Sequence, residues 1–93
     1  MIFEWNAAKA RINQRKHAVS FEDARKVFDD PLARIFDDEA HSRNEKREIL
    51  IGHSASGRLL LVCFTESPDV IRIYSARPAT PRERKDYEEN VRS

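Results

Sequence analysis

The sequence is poor in glycine, proline and cysteine for its 93 residues. Its two glycines and four prolines leave little room for flexible linkers, and it contains neither an internal repeat nor a low-complexity run. The single cysteine, Cys63, cannot form an internal disulfide, and within the apolar run 59–64 we expect it to be a buried thiol. We therefore expect residues 1–93 to form one domain around one core.

Long apolar segments are also absent. No stretch approaches the roughly 20 apolar residues that span a bilayer, and residues 1–5 lack the basic and apolar regions of a signal peptide. We therefore expect a cytoplasmic protein that does not contact a membrane.

Metal-binding and cofactor-binding motifs are missing as well. The three histidines have no ligand-like spacing to one another or to Cys63, so we expect no metal site. The histidines are His17, His41 and His53. The sequence has no Gly-rich phosphate loop and no nucleophile elbow, so we expect no cofactor.

Charged residues are abundant and unevenly distributed. They make up 35% of the chain, although the formal net charge is only +1. Residues 1–28 carry six basic and three acidic side chains, residues 29–48 carry four and seven, and residues 49–93 carry seven and six. An acidic middle between basic flanks suits a protein that meets both RNA and another protein.

Apolar periodicity and capping signals divide the chain into strands and helices. We predict strands over 2–5, 32–36, 47–53, 58–66 and 70–76, and helices over 7–17, over 21–28 and from 81 onward. Asn6, Ser20 and Thr80 have N-cap side chains, and Glu83 completes a capping box with Thr80. The order β-α-α-β-β-β-β-α predicts an α+β domain whose antiparallel sheet has the helices packed on one face.

The strand over residues 70–77 contains candidate site residues. Its alternation should turn the isoleucines toward the helices, and Arg72, Tyr74 and Ala76 toward the opposite face. A cation beside an aromatic ring can hold a phosphate and stack a base, although a plain solvated sheet face explains the pattern equally well. Arg77 should point away from Arg72, so at most one of them should be catalytic unless a β-bulge redirects the other.

The two ends of the strand over residues 47–53 should lie in separate neighbourhoods, roughly 20 Å apart. In an antiparallel meander, Arg47 falls nearer Arg72 and His53 falls nearer Arg77. Arg47 and His53 therefore cannot both reach one scissile phosphate. Glu45 and Arg47 have the chemistry of a proton acceptor beside a phosphate clamp.

Basic residues also cluster at two helix ends. Arg77 and Arg82 flank the start of the last helix, where free N–H groups favour an anion. Lys16 and His17 end the first helix, where a histidine can simply bond to terminal carbonyls or can take part in catalysis.

Short motifs extend along nearly the whole chain in a defined order and spacing. They are Phe3-Glu4-Trp5-Asn6, Lys9, Asn13, Lys16-His17, Ser20-Phe21-Glu22-Asp23-Ala24, Val27-Phe28-Asp29-Asp30-Pro31, Arg47, Ile51-Gly52, Leu61-Val62, Ile71-Arg72-Ile73, Ser75-Ala76-Arg77, Ala79, Glu83-Arg84 and Tyr87-Glu88. In this arrangement the sequence resembles the BrnT toxins of bacterial toxin–antitoxin pairs. Ala18 departs from the family pattern, in which glycine commonly follows the Lys-His pair, so the turn there is expected to differ.

The resemblance implies a RelE-like fold and an endoribonuclease activity that stops translation. It also implies a BrnA-type antitoxin that neutralises the toxin and carries the contact with operator DNA. The alternative is a non-enzymatic module that binds protein or nucleic acid through the same arginines. Growth arrest on expression would distinguish the two.

Metal-independent RNA cleavage can use the ribose 2′-hydroxyl as nucleophile, so the protein needs a base, an acid and cations. Arginine supplies cations but cannot be the base. Glu45 or His17 would accept the proton, with Tyr74 or Tyr87 as donor or stacking platform. We expect catalysis from Glu45, Arg47, Arg72 and Arg77, and RNA contact from Lys16, His17, Tyr74, Arg82 and Tyr87.

Overall fold

The computed structural model describes residues 1–92 and arranges them as a sheet between two layers of helix. The strands are β1 (Ile2–Glu4), β2 (Arg34–Asp37), β3 (Glu48–His53), β4 (Leu59–Glu66) and β5 (Val70–Pro78). The helices are α1 (Ala7–His17), α2 (Phe21–Lys26) and α3 (Pro81–Arg92), with 3₁₀ turns at Val27–Asp29 and Glu39–His41. The predicted α+β class and element order are confirmed.

The sheet has the strand order β1-β5-β4-β3-β2. Strands β2 to β5 form an antiparallel meander, as expected. Strand β1 pairs with β5 in parallel, with Ile2 opposite Val70, so the sheet is mixed. The expectation of a wholly antiparallel sheet missed this pair, because a three-residue strand carries no local signal of which edge it joins or in which direction.

Each helix begins where its capping residue predicts. The side chains of Asn6 and Ser20 accept the backbone N–H three residues later, at 3.0 Å in both cases. Thr80 and Glu83 form the reciprocal capping box, in which the Thr80 N–H donates to Glu83 Oε1 at 2.8 Å. These caps satisfy N–H groups that a helix leaves without partners, and they fix where α1 and α3 leave the sheet.

The main core lies between the sheet and the pair α1 and α2. Its buried members are Val19, Phe21, Ala24, Val27, Leu50, Leu60, Val62, Phe64, Ile71, Ile73 and Ala76. Gly52 allows the first 3₁₀ turn and the residues after it to approach β3, because an added Cβ would lie only 3.0 Å from Cγ1 of Val27 and 2.9 Å from the Cβ of Ala33.

Helix α3 packs on the other face of the sheet. Its Tyr87 is buried against Ile51 and Leu59, and Val91 packs beside them. The expectation that all helices share one face is therefore wrong for α3. The run 59–64 is apolar at successive positions, which is the pattern of a strand buried on both faces.

Ala18 ends α1 in the left-handed conformation, with φ 55° and ψ 37°. Its N–H donates to the Gln14 carbonyl, as in a glycine-capped helix. The turn therefore keeps the geometry that glycine favours, and the expected difference in the turn is not found. The cost is strain, on the order of 1 kcal/mol, because the Cβ of an L-residue approaches its own carbonyl.

We expect Ala18→Gly to stabilise the protein by up to about 1 kcal/mol, because the strain that it removes exceeds the conformational freedom that glycine adds to the unfolded chain. Thermal and urea unfolding followed by circular dichroism would measure the change. Ala8→Gly is the matched control, since Ala8 is an exposed residue of the same helix with negative φ. The control should lose roughly 0.5–1 kcal/mol. A loss of stability in Ala18→Gly as well would contradict the assignment of strain to Ala18.

Candidate active site

A polar cleft of about 380 Å³ lies where α1, the second 3₁₀ turn and strands β3 to β5 meet. Its polar lining residues are Lys9, His17, Asp38, His41, Arg47, Cys63, Tyr74, Ser75 and Arg77. The cleft thus brings together four residues that were predicted from the sequence and that come from three separate segments of the chain. They are His17, Arg47, Tyr74 and Arg77.

A β-bulge at Tyr74 shapes the cleft. Phe64 of β4 pairs with Ile73 and the preceding Cys63 pairs with Ser75, so Tyr74 is the extra residue. Ala76 therefore turns into the core, where it is 1% exposed, and its predicted position beside Tyr74 is wrong. Arg77 moves to the face of Arg72 and Tyr74, which a regular strand would not permit.

Arg47 differs from the other arginines of this face. Its guanidinium lies 4.0 Å from the centre of the Tyr74 ring, and its buried Nε has no hydrogen-bond partner. No ion pair found among residues 1–92 includes Arg47. A half-buried cation without a counter-charge is a binding group for an anion.

Arg72 and Arg77 each hold a carboxylate. Arg72 donates to Glu4 Oε1 on β1 at 3.0 Å. Arg77 binds both oxygens of Glu83 on α3, at 2.8 and 2.9 Å. The hydrogen bond from Arg77 outweighs burial and lowers the pKa of Glu83 to about 2, while the same bond raises the pKa of Arg77. This ion pair fixes the start of α3 against the end of β5.

We expect Glu83 to stabilise the fold above pH 4.5, because its pKa is lower in the folded state than its usual 4.5. This contribution should disappear as the pH falls toward 2. The side chains of Glu83 and Arg77 are 31% and 41% exposed. After solvent screening, we therefore expect their ion pair to contribute about 1 kcal/mol to the free energy of unfolding. Glu83→Gln, which can still accept the Thr80 N–H, should be less stable than the wild type in urea at pH 6 and equally stable at pH 2. An equal deficit at both pH values would show that charge is not the cause.

Glu45 reaches the site through Tyr74. The Tyr74 O–H donates to Glu45 Oε1 at 2.6 Å, although Glu45 itself is exposed on the loop and does not line the cleft. Around the same ring lie the cationic groups of Lys9 at 5.5 Å and Arg72 at 5.9 Å, besides Arg47. Tyr74 is therefore surrounded by three cationic side chains, and its O–H binds the carboxylate of Glu45.

Asp38 and His41 join the site, which the sequence did not predict. The loop between β2 and β3 is closed by bonds from the Asp38 N–H to the Arg47 carbonyl and from the Arg47 N–H to Ser42 Oγ, at 2.8 and 2.9 Å. The buried Asp38 carboxylate binds His41 Nδ1 at 2.9 Å and accepts from Cys63 Sγ at 3.4 Å. Burial, together with this bond, raises the pKa of Cys63 to about 11, so the thiol stays protonated as a donor.

Asn13 is a third residue whose role the sequence analysis did not predict. It is only 6% exposed, and its amide donates to the carbonyls of Val19 and Ala76 at 3.0 and 2.8 Å. Its Oδ1 accepts the Ala76 N–H at 3.1 Å. Asn13 therefore joins α1 to β5, and His17 and Arg77 of these two elements line the same cleft. Two signals of Asn13 were present in the sequence, its place among the motifs shared with the BrnT toxins and its position one turn before His17.

Three predicted RNA-contacting residues lie outside the cleft. Lys16 and Arg82 are exposed on α1 and α3 but do not line it. The prediction for Tyr87 does not fit its position, because Tyr87 is 5% exposed and its O–H donates to the Leu32 carbonyl. Burial raises the pKa of Tyr87. The remote position of His53 agrees with the expected separation, since it lies against Asp30 and Tyr87.

Within residues 1–92, no group of three or more histidine, cysteine or carboxylate side chains is placed to hold a metal ion. The described helices include none that is long and apolar enough to span a bilayer.

Comparisons with known proteins give a family match and a similar fold. Residues 5–83 match the family model described as the ribonuclease toxin BrnT of type II toxin–antitoxin systems. The fold is similar to a crystal structure of the Brucella abortus ribonuclease toxin BrnT, with a TM-score of 0.65 and 20% sequence identity. That alignment covers 86% of this chain and 99% of the Brucella chain. A search of curated proteins found no match. The chain belongs to the BrnT family of ribonuclease toxins of type II toxin–antitoxin systems.

Proposed function

We propose that this chain is an endoribonuclease that cuts RNA in the cleft around Arg47, arrests translation in the cytoplasm and is neutralised by a BrnA-type antitoxin. The observation that carries this proposal is the unpaired Arg47 guanidinium on the ring of Tyr74. The family contributes the substrate class, since it is a family of ribonuclease toxins.

A phosphate of the RNA backbone fits Arg47 best. A guanidinium binds phosphate through two parallel N–H donors, and water exclusion strengthens that bond. Lys9 lines the same cleft and adds positive charge. Arg72 and Arg77 contribute less, because Glu4 and Glu83 already share their charges.

Cleavage in this cleft requires no metal ion in principle. The ribose 2′-hydroxyl attacks the adjacent phosphorus, the bond to the 5′-oxygen breaks, and the products are a 2′,3′-cyclic phosphate and a 5′-hydroxyl. The protein supplies cations for the charge that develops on the phosphate, a base for the 2′-hydroxyl and an acid for the leaving oxygen. Arg47, Arg72 and Arg77 are the proposed cations, and Glu45 and His17 remain candidates for proton transfer.

The BrnA-type antitoxin is proposed to cover the basic cleft, which would exclude RNA by occlusion and by charge. We assign contact with operator DNA to the antitoxin alone. Lys16 and Arg82, exposed on α1 and α3, are proposed to contact the RNA outside the reacting phosphate.

The test is cleavage of a labelled single-stranded RNA by the purified protein, with and without EDTA. We expect equal rates and products ending in 2′,3′-cyclic phosphate, together with growth arrest when a bacterial host expresses the chain. Loss of activity in EDTA that a divalent ion restores would contradict metal independence. RNA binding without cleavage and without growth arrest would indicate the alternative, a non-enzymatic binding module.

A further inference from the structure

The pair of Asp38 and His41 forms one wall of the cleft. The Asp38 side chain is 10% exposed, whereas that of His41 is 65% exposed. His41 Nδ1 lies 2.9 and 3.1 Å from the two carboxylate oxygens. Because a carboxylate only accepts, Nδ1 must carry the proton, which leaves Nε2 as the acceptor. The neutral histidine is thus held in one tautomer, with its lone pair on Nε2.

We infer that His41 is the general base that accepts the 2′-hydroxyl proton, and that Asp38 is its positioning residue. This inference rests on the ribonuclease function proposed above. It departs from the sequence analysis, which considered Glu45 and His17 for this role.

Asp38 itself is unsuited to proton transfer. Its carboxylate is buried and already holds His41 and the Cys63 thiol. Its backbone is fixed by the Arg47 carbonyl and by Ser42 Oγ, which donates to the Asp38 carbonyl at 2.6 Å. A buried carboxylate with these side-chain and backbone hydrogen bonds is rigid, and a rigid acceptor fixes the orientation of a histidine base.

Glu45 is the weaker candidate on geometry. Its carboxylate is bound by the Tyr74 O–H and lies outside the cleft lining, whereas His41 lines the cleft together with Arg47. The base and the phosphate clamp would thus stand in one cavity, as proton removal from a 2′-hydroxyl next to the phosphate requires.

Several ionisable groups line the cleft together with His41 and must share in any pH dependence. They are Asp38, Lys9, His17, Arg47, Cys63, Tyr74 and Arg77. His17 is the second histidine among them, and an imidazole can donate a proton as well as accept one. We therefore assign it the role of acid.

In the inferred step, Nε2 of His41 takes the 2′-hydroxyl proton as the 2′-oxygen bonds to phosphorus. The bond from phosphorus to the 5′-oxygen breaks, and that oxygen takes a proton from the charged form of His17. The products are the cyclic phosphate and the 5′-hydroxyl, and solvent then returns the two histidines to their starting states.

The test uses single-turnover cleavage of a short RNA, with RNA affinity measured on the same proteins. We expect His41→Ala and His41→Gln to cleave roughly 10²- to 10⁴-fold more slowly with nearly unchanged affinity. Added imidazole should restore part of the rate to His41→Ala, increasingly as the pH rises through the pKa of free imidazole. Asp38→Asn should cleave more slowly with an altered pH profile, at unchanged affinity.

His53 provides the matched control, because its Nδ1 lies 3.7 Å from a carboxylate oxygen of Asp30 but outside the cleft. His53→Gln should cleave at the wild-type rate. Circular dichroism would identify a folding defect in any variant, and the glutamine variant at His41 guards against one in the alanine variant.

The outcomes separate the two proposals. If the wild type cleaves RNA and both His41 variants cleave within a few-fold of it, the inference is overturned and the ribonuclease function stands. If imidazole fails to rescue and affinity falls with rate, His41 binds RNA and is not the base. If the wild type does not cleave RNA, both proposals fail.

Discussion

Arg47→Ala is expected to abolish growth arrest and to slow RNA cleavage by a factor on the order of 100 to 1000, because it removes the unpaired cation that meets developing charge. The fold should survive. The loss of stacking on Tyr74 costs about 1 kcal/mol at a partly exposed site. Growth on induction, cleavage in vitro and circular dichroism measure the three effects.

Arg47→Lys should recover little activity, because an ammonium group cannot replace the planar two-donor contact with phosphate. Arg43→Ala is the control, since Arg43 is an exposed arginine of the same loop and does not line the cleft. It should remain toxic. Full toxicity of the folded Arg47→Ala protein would remove the main support for the proposed site.

Asn13→Ala is expected to destabilise the protein by about 3 kcal/mol or more. The change leaves the carbonyls of Val19 and Ala76 and the Ala76 N–H without this partner, and each unsatisfied buried group costs roughly 1–3 kcal/mol. Since small domains are stable by about 5–15 kcal/mol, such a loss would be large. Urea unfolding at neutral pH measures it.

Asn13→Asp separates hydrogen bonding from packing. It keeps the shape of the side chain, but a carboxylate cannot donate to the two carbonyls, so the variant should be at least as unstable as Asn13→Ala. Gln14→Ala, at the exposed neighbouring position of α1, should change the free energy of unfolding by less than about 0.5 kcal/mol. If Asn13→Asp matches the wild type, the three bonds do not hold α1 to β5.

Elements that depend on neighbouring residues were predictable from the sequence. The helix starts at Asn6, Ser20 and Thr80 follow from caps that act within three residues. The separation of His53 from Arg47 follows from strand length alone. The predicted α+β class and order of elements were therefore reliable.

Features that depend on the whole sheet were not predictable. The alternation of residues in β5 did not show the bulge at Tyr74, because the bulge is defined by how β5 pairs with β4. Nor could it show that α3 crosses to the second face, or that Asp38 turns inward from a loop rich in charge. The site residues missed, Asn13, Asp38 and His41, are polar groups whose partners lie in other segments.

The bulge at Tyr74 also decides which change of length this part of the gene tolerates. An in-frame deletion of the Tyr74 codon would join Ile73 to Ser75 and turn the pairing with Phe64 and Cys63 into a regular ladder. Ala76 would still face the core and Arg77 the cleft, because the bulge already accommodates the extra residue. The deletion would thus remove the ring on which Arg47 lies and leave the two faces of the strand beyond it unchanged. Among homologous genes, one that is a residue shorter between Ile73 and Arg77 should therefore lack the bulge and keep the rest of the strand in register.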